Sequence, residues 1–322
     1  MSNPKMKYKR FGKTGIEVSI ISMGGHEYLN DGSSRGFNED FELATTSGYI
    51  FEGFGQEKRK HVLKTAYEYG VNLFDVTQDS EKEALGRNLS NLPPPYEIFV
   101  LTRPEGMVYT YDKFNVKMSK YELLEREVKR ILKFLRRDCL EFLNVAFMKE
   151  ALDNDEHYLD KIASNIEKLK DKGLIKWAVA DTFSGESTYV KQIEKGCFDG
   201  ININFNFADY GALEKVLPLA HEMKLGVITR EAFMKGELFK MGEEVGLKDR
   251  NSLAQTALKW NLSFNEVTSV IMGTNNPDHF RKNLEILKNI ELTKGDRERI
   301  ETLKESKTFR NYEKKKKLEF SK

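Results

Sequence analysis

Ile21-Ser22-Met23-Gly24-Gly25-His26-Glu27 is a short apolar run that ends in a polar cluster, and seven later stretches repeat its form. They close as Asn72-Leu73-Phe74-Asp75, Val100-Leu101-Thr102-Arg103, Asn144-Val145-Ala146, Ala178-Val179-Ala180-Asp181, Ile203-Asn204-Phe205-Asn206, Val227-Ile228-Thr229-Arg230-Glu231 and Ile271-Met272-Gly273-Thr274-Asn275. Segments with helical spacing lie between them, so strand and helix alternate, and this order favours a parallel sheet. Eight such units predict an α/β fold, a (β/α)8 TIM barrel. In that architecture the carboxyl ends of the strands face the substrate whatever the chemistry, so the polar closures are the candidate site.

The 322 residues suffice for one barrel domain spanning 1–322. Lys and Arg total 52 against 50 Asp and Glu, and the two signs are mixed along the chain. A small-molecule substrate is therefore expected, with no nucleic acid and no membrane as partner; the oligomeric state is left open. No run approaches the roughly 20 apolar residues of a membrane span, and Met1-Ser2-Asn3-Pro4-Lys5 has no signal-peptide core, which predicts a cytoplasmic protein. Cys139 and Cys197 are the two cysteines, too few for a disulfide framework or a metal site. They read as small core fillers, Cys139 in a strand and Cys197 in a turn.

Residues 6–20 alternate around Gly12-Lys13-Thr14-Gly15 and predict an N-terminal β-hairpin ahead of the barrel. Two extended βα loops follow. Residues 26–56 form a lid-like insertion rich in Gly, Asn, Phe and Tyr, and residues 104–120 carry Tyr109, Tyr111 and Phe114. Helices are predicted from about Glu57 to Tyr69, from Tyr121 to Arg136 and from Tyr158 to Lys172, the last stopped by Gly173. Asn276-Pro277-Asp278 opens another with an N-cap and a first-turn proline. The basic C-terminal tail, residues 308–322, reads as solvated.

Several stretches resemble the aldo-keto reductases. Met6-Lys7-Tyr8-Lys9-Arg10-Phe11-Gly12-Lys13-Thr14-Gly15-Ile16-Glu17-Val18-Ser19 is similar to that family's opening hairpin. Further matches are Gly70-Val71-Asn72-Leu73-Phe74-Asp75, Glu81-Lys82-Glu83-Ala84-Leu85-Gly86, Ala257-Leu258-Lys259-Trp260, and Val270-Ile271-Met272-Gly273-Thr274 through Asn283-Leu284. The resemblance implies carbonyl reduction with NAD(P)H by an Asp, Tyr, Lys and His set in which tyrosine donates the proton. Asp75 matches the aspartate. No tyrosine follows in Asp75-Val76-Thr77-Gln78-Asp79-Ser80-Glu81, Arg103 stands at the lysine position and Ala146 at the histidine. The catalytic tetrad is degenerate. Arginine stays protonated and cannot relay a proton, so Arg103 is an electrostatic partner, either for Asp75 or for a substrate carboxylate or phosphate.

The same resemblance implies a set of cofactor contacts. Asp181 and Thr182 stand where the family holds the nicotinamide carboxamide, Asn202 where it uses a glutamine, and Arg230 where an aromatic ring stacks. Gly273, Thr274 and Asn275 lead into a helix bearing His279 and Asn283, whose free backbone N–H groups suit a phosphate. Asn275 replaces the arginine that often reads the 2′-phosphate, so the choice between NADP and NAD is open.

For the chemistry itself, His26 is the leading acid–base candidate because its unperturbed pKa is nearest neutral, and Tyr28 lies beside it. Glu105 and Glu231 are further carboxylates at strand ends, and Asn202, Asn204 and Asn206 share one side of a strand. Two functions are compatible with these residues. One is an atypical NAD(P)(H)-dependent, aldo-keto reductase-like oxidoreductase acting on a small polar or anionic carbonyl or alcohol held by Arg103 and Arg230. The other is a non-redox barrel protein, either a ligand-binding or regulatory pseudoenzyme or a lyase or isomerase.

Overall fold

The structure is a computed structural model that describes residues 4–321; the readings of Met1, Ser2, Asn3 and Lys322 lie outside the described residues. Strands β1 (Tyr8–Arg10) and β2 (Glu17–Ser19) form an antiparallel hairpin. The barrel strands are β3 (Ile21–Gly24), β4 (Leu73–Asp75), β5 (Phe99–Thr102), β6 (Leu140–Ala146), β7 (Ile175–Asp181), β8 (Gly200–Asn204), β9 (Gly226–Arg230) and β10 (Ser269–Met272). They pair in parallel in the order β10-β3-β4-β5-β6-β7-β8-β9 and close. This is the (β/α)8 barrel with its hairpin. The register sets Gly24 beside Asp75, Ala146 beside Asp181 and Asn204 beside Arg230, so the polar closures share one rim.

The opposite end is plugged by the hairpin. Phe11 is fully buried in a cluster with Leu73, Phe99 and Phe142, at the starts of the strands. A Cβ on Gly200 or on Gly226 would come 2.5 Å from its ring, so these two glycines make the space that the plug fills. On the outside, the helix Glu57–Tyr69 ends at Gly70 with φ 80°, and Tyr158–Asp171 buries Ile162, Ile166 and Leu169 before Gly173 turns the chain with φ 68°. Both stops use glycine where a left-handed residue is required.

Two readings need correction. Cys139 precedes β6 instead of lying in it and is half-buried, whereas half-buried Cys197 packs against the main core as expected. The C-terminal segment is no loose basic run: Lys307–Phe320 is a helix whose Ser306 caps the Phe309 N–H at 3.1 Å. Buried Phe309 stacks on Phe207 with ring centroids 6.2 Å apart, and that apolar anchor outweighs the solvation of the lysines.

Residues 26–56 include one short helix, Phe41–Ala44, and lie against the rim. The Gly48 N–H donates to Asp79 Oδ2 at 2.6 Å, the Phe51 N–H to Ser80 Oγ at 2.8 Å, and the Gly55 N–H to Glu27 Oε1 at 2.6 Å. No helix among the described residues is long and apolar enough to cross a membrane.

Candidate active site

Two polar clusters meet at the carboxyl ends of the strands. The first belongs to β3 and β4. His26 follows β3, and its Nδ1 lies 2.7 Å from Oε1 of Glu81, a fully buried residue in the first turn of the helix Asp79–Asn91. Glu81 is fixed in turn: its Oε2 accepts from the Thr77 N–H at 2.8 Å and the Thr77 hydroxyl at 3.1 Å, and its Oε1 from Gln78 Nε2 at 3.2 Å. Burial alone would raise the Glu81 pKa, but His26 and the Thr77 donors win and hold it down at about 2. Burial likewise opposes charge on His26, and the Glu81 carboxylate reverses this, holding the imidazole above its ordinary value.

Asp75 ends β4 in the same cluster. Burial pushes its carboxyl up to about 6, with Glu81 adding to the rise and His26 and Arg103 opposing it. A histidine whose charged form is favoured and an aspartate whose neutral form is favoured thus share one buried pocket as two proton-holding groups.

The second cluster centres on Asp181 at the end of β7, which is wholly buried. Arg230 of β9 grips it in bidentate fashion, Nη1 to Oδ2 at 2.5 Å and Nη2 to Oδ1 at 2.7 Å. The Tyr109 hydroxyl donates to Oδ2 at 2.6 Å and Asn144 Nδ2 to the same oxygen at 3.0 Å. Arg230 Nε donates to Asn204 Oδ1 at 2.7 Å, which uses the remaining edge of that guanidinium. Burial, reinforced by the Asp181 charge, raises the Tyr109 phenol well above its ordinary value.

Arg103 joins the clusters. Its Nη1 donates to the Tyr109 hydroxyl at 3.3 Å and its Nε to Glu105 Oε1 at 3.2 Å, while the rings of Tyr109, Phe37 and Tyr111 lie 4.9, 5.9 and 5.9 Å from the guanidinium carbon. The expected pairing of Arg103 with Asp75 is thus not formed. Glu105, two residues on across Pro104, reaches back to it instead. Glu231 does not answer Arg230 either; it faces Lys235 at 3.3 Å and Lys316 at 3.9 Å.

The rim gathers His26, Asp75, Arg103, Asp181, Asn204 and Arg230, and Tyr28 stands on its β10 side, its phenol within reach of the Glu81 and Asp75 charges. Its ring lies against Gly273 after β10, its carbonyl accepts from Asn275 Nδ2 at 2.8 Å, and burial pushes its phenol up to about 12. Sequence reasoning missed Glu81, Tyr109 and Asn144 as members of the site. Glu81 sits four residues after Thr77, a spacing that binds a helix start. Tyr109 had been noted only as a loop aromatic, and nothing in the sequence marks its positive φ of 47°.

The cofactor positions can be tested on the same geometry. Asp181 is saturated by donors, so its carboxylate is not available to a carboxamide, and Arg230 lies over Phe183 at 4.8 Å instead of facing an open slot. Between the ends of β7 and β8 and the C-terminal helix, a void of about 40 Å³ lined by Thr182, Phe183, Asn204, Lys316 and Phe320 remains, room for only a few waters. At the helix Pro277–Leu284, the Asp278 and His279 N–H groups donate to Asn276 Oδ1 at 2.9 and 3.4 Å, so the N–H groups expected to be free are capped. Asn283 is buried and Thr274 Oγ1 accepts from the Asn276 N–H at 3.1 Å. With the side chains so arranged, these residues do not fit a dinucleotide. Asn202 Oδ1 and Asn275 Oδ1 are buried there without a hydrogen bond. Among the described residues no group of His, Cys, Asp and Glu is placed to hold a metal ion.

Comparison with known proteins locates this barrel. The aldo/keto reductase family matches residues 44–305. L-galactose dehydrogenase of Arabidopsis thaliana is 21% identical, the alignment covering 92% of each chain. Among solved structures, an aldo-keto reductase from Bacillus halodurans in its holo form superposes with a TM-score of 0.67 at 18% identity, covering 94% of this chain and 97% of that one. An aldo/keto reductase from Klebsiella pneumoniae in complex with NADP and acetate gives a TM-score of 0.67 at 15% identity, covering 92% and 95%.

Proposed function

The chain belongs to the aldo/keto reductase family, and on that frame we propose that it performs acid–base chemistry on a small polar carbonyl or hydroxyl compound at the barrel mouth. The carrying observation is the 2.7 Å contact between His26 Nδ1 and a buried, fully hydrogen-bonded Glu81, beside an Asp75 whose carboxyl is pushed up to about 6. A carboxylate fixed on one ring nitrogen orients the imidazole and leaves Nε2, which has no hydrogen-bond partner among the described residues, to exchange a proton with substrate. Asp75 is the second proton site. Arg103 supplies the fixed positive charge: Nε and Nη1 are engaged and Nη2 is left for a substrate oxygen. Arg230 is the weaker anchor in this scheme, because three of its five N–H donors and its charge are committed to Asp181 and Asn204. Phe37 and Tyr111 wall the space beside Arg103 and lower the local dielectric, which strengthens its pull on developing negative charge.

A bound nicotinamide would supply or accept hydride, and because the residues at its place do not fit it, no hydride step is assigned. The first expectation from the sequence, an NAD(P)H-dependent oxidoreductase, stands beside it as a second reading, favoured by the family relative solved with NADP and by the unpaired Asn202 oxygen. One experiment separates them. The protein is incubated in D2O with pyruvate, oxaloacetate or dihydroxyacetone, with and without NADPH, and followed by proton NMR. Loss of signal from the carbon next to the carbonyl without NADPH, abolished by His26→Ala, is the expected result. No exchange in any of them, together with NADPH consumption, would replace the first reading by the second.

A further inference from the structure

A cavity of about 430 Å³ lies beside the 104–120 loop, outside the His26 and Asp181 clusters and touching the Arg103 group only through Glu105. One wall is a single stripe of the helix Tyr121–Leu135: Leu123, Arg126, Glu127 and Arg130, spaced three, four and seven residues from the first. The floor is Gly106 and Met107, and Lys117 and Ser47 close the sides.

The charges in this cavity are not balanced. Arg130 is paired closely with Glu127, whose Oε2 also accepts from Ser47 Oγ at 2.8 Å, so both are committed. Glu105 faces Arg103 at 3.2 Å. Lys117 has no carboxylate partner among the described residues; its Nζ reaches the Gly106 carbonyl at 3.2 Å. Arg126 stands 3.8 Å from Glu127, the same carboxylate that Arg130 already holds, with its side chain 70% exposed. Three cations, Lys117, Arg126 and Arg130, therefore face two carboxylates, Glu105 and Glu127, that are held by Arg103 and Arg130, and half-buried Leu123 offers apolar surface beside Lys117 and Arg126. A volume of this size falls in the range of small-molecule sites.

We propose that this cavity binds a small organic phosphate, with the phosphate between Lys117 and Arg126 and the body of the ligand on Leu123. Phosphate suits the pair because a guanidinium fork takes two of its oxygens while an ammonium takes a third. A monocarboxylate offers one oxygen pair and cannot satisfy both cations equally. The site is separate from the acid–base cluster and stands or falls independently of the chemistry assigned there. The Ser47 hydroxyl donates to the Glu105 carbonyl at 2.7 Å, so the 26–56 segment and the 104–120 loop both border the ligand.

The test is isothermal titration at low salt with phenyl phosphate, inorganic phosphate and benzoate. Phenyl phosphate is expected to bind saturably with a Kd of about 1 mM or tighter. Inorganic phosphate should bind roughly tenfold more weakly, since it lacks the apolar contact. Lys117→Ala and Arg126→Ala lie at the surface and leave the fold intact; each should weaken phenyl phosphate by about tenfold, and the double variant should abolish binding. Amide hydrogen exchange at residues 45–48 and 105–107 should slow when phenyl phosphate is added. No saturable binding, binding unchanged in the double variant, or benzoate binding as tightly as phenyl phosphate would overturn the proposal.

Discussion

Replacing Asp75 by asparagine removes a carboxyl that the fold holds at a cost. Burial lifts its pKa from 3.8 to about 6. A shift of about two units, at roughly 1.36 kcal/mol each, makes the ionised form about 3 kcal/mol less favourable folded than unfolded. The sign follows from the direction. An acid with a raised pKa binds its proton more tightly in the folded state, so the cost is absent below the unfolded value, grows as pH rises through the window up to about 6, and is complete above it. Asp75→Asn should therefore stabilise the protein by up to about 3 kcal/mol at about pH 8 and by roughly half as much at about pH 5. Urea denaturation of the two proteins at both pH values reads this as a difference in midpoint that widens with pH. Midpoints separated by the same amount at both values would show that the carboxyl is not raised, and the acid–base pairing with His26 would lose one member.

Three further outcomes rest on separate contacts. Glu81→Gln removes the carboxylate that raises His26, so the imidazole pKa should fall, which NMR titration of the His26 ring protons measures. Arg230→Ala strips the counter-charge from a wholly buried Asp181 and should cost about 3–5 kcal/mol in urea denaturation, whereas Arg230→Met combined with Asp181→Leu should recover most of it. Phe11→Ala empties the plug between Gly200 and Gly226 and should cost about 3–5 kcal/mol, seen as a large drop in thermal midpoint; a loss below about 1 kcal/mol would mean the hairpin does not close the barrel.

The repeated form of Ile21–Glu27 was enough to read the barrel, because a buried parallel strand and its polar closure are both local in sequence. The glycine stops at Gly70 and Gly173 and the Asn276 cap were legible for the same reason. Partnerships across the rim were not. Glu81 reaches His26 over 55 positions and Arg230 reaches Asp181 over 49, and neither residue type announces which of several opposite charges it will face. Arg103 shows the difficulty: Asp75, on the neighbouring strand end, is the obvious partner, but Glu105, two residues along the same loop, takes its place. The C-terminal run misled because its lysines dominate the composition while one phenylalanine, Phe309, decides its packing.

The Asp181–Arg230–Asn204 side of the rim, where a nicotinamide would lie, is engaged by its own side chains, while the His26–Arg103 side is left to a substrate. Calorimetric titration of the full-length protein with NADPH and with NADH addresses this directly. No saturable binding of either up to about 1 mM is the predicted result, because Asp181 and Arg230 spend their hydrogen bonds on each other and on neighbouring side chains. Micromolar binding of either dinucleotide, lost in Asn283→Ala, would contradict it.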